Sequence, residues 1–66
     1  MRFMQIIYRS EVEQKLREKG LEPRQIQIIW DGMEHLAKHT GGRSSKSGDL
    51  LTLSEEVRQH VVDVLK

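Results

Sequence analysis

No cysteine occurs among the 66 residues. Disulfides and thiolate-zinc sites are therefore excluded. The usual mark of a small secreted scaffold is missing with them, so a reducing, cytoplasmic setting is expected. Long apolar runs are missing too. None approaches the roughly 20 residues that cross a bilayer, and no membrane contact is expected. The N-terminal MRFMQIIY is too short and too interrupted to read as a signal peptide. Strong net charge is also lacking: 11 basic against 10 acidic side chains leave +1.

A chain this short forms one domain, and its core supplies only about 3–5 kcal/mol. It buries about 60% of its unfolded surface. With cysteine absent, oligomerisation is the staple that remains, and a homodimer is expected. The charge is unevenly placed. Residues 34–48 set Lys38, Arg43 and Lys46 against Glu34, a net of +2. Residues 49–66 set Arg58 and Lys66 against Asp49, Glu55, Glu56 and Asp63, a net of −2. A basic stretch thus precedes an acidic C-terminal segment, an asymmetry suited to steering one subunit toward another.

The patterning predicts a mainly α fold: a short N-terminal strand or extended arm, then three helices at about 11–19, 23–40 and 53–65. Residues 2–8 are rich in β-formers, but neither alternating set is cleanly polar. Ser10 to Glu13 spells S-x-x-E, a capping box that starts the first helix, and Gly20 stops it. That helix has only Val12 and Leu16 as apolar residues and must lean on something larger. The second is the organising element. Pro23 suits its first position, and Leu21 with Ile26 forms a hydrophobic staple. Ile26, Ile29, Trp30, Met33, Leu36 and Ala37 give one broad apolar face. Gly41 ends it. Thr52 to Glu55, T-x-x-E, starts the third helix, with Leu53, Val57, Val61 and Val64 as its stripe.

Between the last two helices lies HTGGRSSKSGD, residues 39–49. A phosphate-cradling loop needs G-x-x-x-x-G-K-[ST]. Here five residues separate Gly42 from Gly48, and Asp49 stands where lysine is required. The stretch reads instead as a flexible Gly/Ser/basic loop over 41–49. It could also serve as a hinge for swapping the last helix between subunits. Its Lys46, with Lys38 and Arg43, is the candidate contact for an anionic partner.

His35 and His39 share a face of the second helix with Asp31, but enclose Leu-Ala-Lys. The H-E-x-x-H pattern of a metalloprotease is therefore not met, and no metal or other cofactor is expected. The serines have cap or loop roles. No catalytic set is present, and the chain reads as a non-enzyme.

Ile28, Gly32 and Leu36 form a second strip beside the main apolar face. With Trp30 and Met33 they are the candidate partner or dimer interface. The leading expectation is a small regulatory or inhibitory module, a homodimer that binds a partner protein through helical surfaces. The alternative is a DNA-binding dimer of transcriptional-regulator or antitoxin type. The order strand, helix, Gly turn, helix over residues 3–40 resembles a ribbon-helix-helix dimer. That resemblance implies paired strands in the major groove, with Arg2, Gln5 and Arg9 as the DNA contacts.

Overall fold

The computed structural model describes residues 4–66. The elements run β1 (Met4–Tyr8), α1 (Arg9–Glu18), α2 (Pro23–His39), β2 (Arg43–Ser44), β3 (Leu50–Ser54) and α3 (Glu55–Leu65). The strands form one antiparallel sheet in the order β1-β3-β2. The expected strand-plus-three-helix fold is thereby corrected. The third helix does not begin at 53, because Leu50–Ser54 is the central strand of a sheet. Its residues alternate: Leu51 and Leu53 are buried, and the residues between them are half-buried. That period of two is a strand signal. Leu53 stands at helical spacing from Val57, yet it reaches the core from a strand.

The register pairs Met4 with Ser54, Gln5 with Leu53, Ile6 with Thr52, Ile7 with Leu51 and Tyr8 with Leu50. Directly opposed residues share a face. Ile7, Leu51 and Leu53 therefore line one face, and they join Val12, Leu16, Ile26, Trp30, Met33, Ala37 and Val61 in the core. Side chains from all three helices contribute to this one layer. Among the described residues no helix covers the other face of the sheet, an α+β arrangement of two layers.

The helix ends obey local chemistry, with two departures from the capping motifs. α1 starts directly from the strand with Tyr8 as N-cap and no side-chain cap bond. Glu13 pairs with Arg9 at 2.8 Å, one turn back, in place of the Ser10 box. α3 is capped by Ser54, whose hydroxyl accepts from Val57 N–H at 3.4 Å, since Thr52 is held in β3. The start of α2 adds a box that was not expected, and the two glycine stops are in place. Gln25 Oε1 accepts from Glu22 N–H at 2.9 Å ahead of Pro23, closing the box at the α2 start. Gly20 at φ 87° and Gly41 at φ 86° close α1 and α2. The two ends share one bond pattern. Gly20 N–H donates to Arg17 and Leu21 N–H to Leu16; Gly41 N–H donates to Lys38 and Gly42 N–H to Ala37.

Residues 41–49 hold β2 and a tight turn. Ser45 N–H donates to Leu50 C=O at 3.1 Å, and Gly48 N–H donates to Ser45 C=O at 3.0 Å. The Ser45 hydroxyl accepts from the N–H groups of Asp49 and Leu50. A hairpin thus replaces an open connection, and it returns the chain to the sheet beside β1. Among the described residues no helix is long and apolar enough to cross a membrane.

Gly42 is needed for space. A Cβ there would strike Thr52 C=O and stand 2.9 Å from Ala37 C=O. Gly32, in mid-helix, has nothing within 4 Å of the corresponding position. Gly42→Ala is therefore expected to lower stability by about 1–3 kcal/mol through overpacking. Gly32→Ala is expected to raise it by about 1 kcal/mol through helix propensity. Urea unfolding of the two variants checks both signs.

Candidate functional site

The five proposed interface residues divide by depth. Trp30 is 1% exposed, and Met33 is also in the core. Trp30 holds the hairpin: its Nε1–H donates to Gly48 C=O at 2.9 Å. Both side chains build the interior, and Met33 also reaches the floor of a groove between α2 and α3. Ile28 is 65% exposed and Leu36 37% exposed, with Gly32 open between them. α3 adds Val64, 70% exposed. Ile29, Gly32, Met33 and Leu36 from α2 meet His60, Val61, Val64 and Leu65 from α3 around a groove of about 280 Å³. Val64 is the member of this surface missed as an interface residue, because its spacing assigned it to the buried stripe.

A second apolar surface lies on the uncovered sheet face. Met4, Ile6 and Tyr8 alternate along β1, and each is 47% exposed. Leu50 and Thr52 stand beside them on β3. The alternation was present in the sequence. What could not be read was the partner strand, since β3 lies more than forty residues away along the chain.

The three candidate anion contacts are not brought together. Lys38 pairs with Glu34 at 3.1 Å on α2. Arg43 is opposite Thr52, so it belongs to the outer sheet face with Ile6. Lys46 is exposed in the hairpin turn. The proposed DNA contacts are also dispersed. Gln5 shares the inner face with Leu53. Arg9 is engaged by Glu13 and by the Gln27 side-chain carbonyl. Arg2 lies outside the described residues. β1 pairs with β3 of its own chain, which differs from the between-subunit ribbon of ribbon-helix-helix proteins.

His35 and His39 are exposed on α2. Among the described residues no group of three His, Cys, Asp or Glu side chains converges as a metal site would require. A recess of about 320 Å³ between α1 and α3 is lined by Ile7, Val12, Val62 and Leu65, with Glu11, Lys15 and Lys66. Its lining holds a single side-chain carboxylate, Glu11, and no hydroxyl or thiol side chain. What the molecule presents is apolar surface on two sides.

Trp30→Phe removes the bond to Gly48 and leaves that carbonyl unpaired. A loss of about 1–3 kcal/mol is expected. Amide exchange in residues 45–49 should accelerate more than exchange in α1.

No protein-family model matches the chain, and no curated protein or solved structure matches it significantly; its functional reading rests on its own geometry.

Proposed function

We propose that this chain is a small non-enzymatic interaction module that works as a homodimer and binds a partner protein through its helical surface. The groove that Gly32 and Leu36 of α2 form with Val64 of α3 carries this reading, with exposed Ile28 one turn from Gly32 along α2. Exposed apolar side chains that adjoin in one groove mark interaction sites, whereas single ones do not. The partner element that fits is an apolar helix laid between α2 and α3. Gly32 lets its backbone come close, because no side chain stands there. Regulatory or inhibitory action would come from occupying such a helix on the partner.

A photo-crosslinking residue at position 36 tests this in the native host. The expected product is a discrete adduct heavier than a dimer of this chain, absent when the probe replaces Glu18 on exposed α1. No adduct, or a dimer-sized adduct alone, overturns the reading.

A second reading has one observation in its favour. α1 and α2 are joined by the four-residue turn Lys19 to Glu22, with left-handed Gly20, and a hairpin comes after α2. Two helices across such a turn form the DNA-binding helix-turn-helix, whose second helix enters the major groove. Arg24, Ile28, His35 and Lys38 would then face the duplex. The charge over this stretch argues against strong binding. Residues 22–49 hold Arg24, Lys38, Arg43 and Lys46 against Glu22, Asp31, Glu34 and Asp49, a net of zero. The reading calls for duplex binding at low salt that weakens steeply as salt rises and weakens further in Arg24→Glu. No mobility shift at low salt removes it.

A further inference from the structure

We infer that the uncovered face of the sheet is the self-association surface, with a second copy of this chain packed face to face on Met4, Ile6 and Tyr8. The inference rests on the homodimer part of the proposed function and assigns the dimer contact away from the helices.

The first support is area. The chain exposes 5059 Å². A folded monomer of its 7.7 kDa mass exposes roughly 4,300 Å². The surplus of about 700 Å² is a property of the whole chain, and this face supplies part of it. Three large apolar side chains, each 47% exposed, stand in alternation on one strand. They contribute to that surplus as a contiguous patch, with Leu50 beside Tyr8 and Thr52 beside Ile6.

The second support is charge. The β1 and β3 residues of this face are Met4, Ile6, Tyr8, Leu50, Thr52 and Ser54, all formally neutral. Among the described residues, Arg43 on short β2 is the one charged group that the register adds to the face. An anionic membrane would require a basic cluster around the apolar patch, and one arginine does not make one. A neutral, apolar face is self-complementary, as a two-fold interface requires. Two such faces pack as sheets do, with interdigitated side chains. The hydroxyls of Tyr8, Thr52 and Ser54 supply polar atoms able to hydrogen-bond across or around it.

The face and the helical groove are separable by mutation, because each variant side chain starts exposed. Sedimentation equilibrium of the full chain, from low micromolar to several hundred micromolar, compares wild type with Ile6→Lys, Tyr8→Ser and Leu36→Arg. Wild type and Leu36→Arg are expected to be dimers. Ile6→Lys and Tyr8→Ser are expected to weaken association at least roughly 30-fold, the effect of losing a central interface contact. Circular dichroism is expected to be unchanged in every variant that is scored. A monomeric wild type across the range overturns both the face and the homodimer. A wild-type dimer that survives both strand variants, or that Leu36→Arg breaks instead, overturns the face while leaving the homodimer standing. The crosslink from position 36 to a foreign protein reads partner binding independently.

Discussion

The pairing of β1 with β3 is the constraint on which the rest of this structure depends. It joins Met4–Tyr8 to Leu50–Ser54 in unbroken antiparallel register. Closing so long a loop costs entropy before any contact compensates for it. The compensation comes from Ile7, Leu51 and Leu53, which form an apolar floor under Trp30 and the other core side chains. A one-residue slip of β1 would turn Ile7 away from Leu51 and Leu53 and bring Met4, Ile6 and Tyr8 in. The register therefore decides both which side chains are core and which are left exposed.

The hairpin serves this pairing. Gly41 turns the chain out of α2, and Gly42 lets it pass close to Ala37 and Thr52. The Ser45 hydroxyl holds the turn from within, and Trp30 fixes it to α2 through Gly48. The Gly/Ser composition that suggests an open linker is here the composition of a tight turn. Both uses need small residues and side-chain oxygens, so composition does not separate them. The distinction depends on the next segment, LLTLS, which is short enough to read as either a strand or a helix start.

Every charged pair that closes within the described residues is local, three or four residues apart along a helix. Exposed pairs of this kind contribute little to stability. Specificity in this fold therefore comes from shape and apolar burial. That agrees with the proposed contacts, which use apolar side chains such as Ile6, Tyr8, Leu36 and Val64.

Much was legible in the sequence for reasons that are local. The limits of α2 were legible in Pro23 and Gly41, because caps act within one turn, whereas the Glu22–Gln25 box emerged from the structure. Its apolar stripe identified Ile26, Trp30, Met33 and Ala37 as inward-facing, since a 3.6-residue period needs no tertiary information. The strip Ile28, Gly32 and Leu36 stood out by the same spacing. Tertiary structure alone decided the sheet. Whether MQIIY and LLTLS are strands depends on their meeting, and strand pairing is a contact between distant residues that no local pattern encodes. It also decided that Trp30 and Met33 are spent inside, that Arg43 and Lys38 lie on different elements and faces, and that one side of the sheet stays bare. Those are statements about which surfaces cover one another, and coverage exists only once the chain has closed on itself.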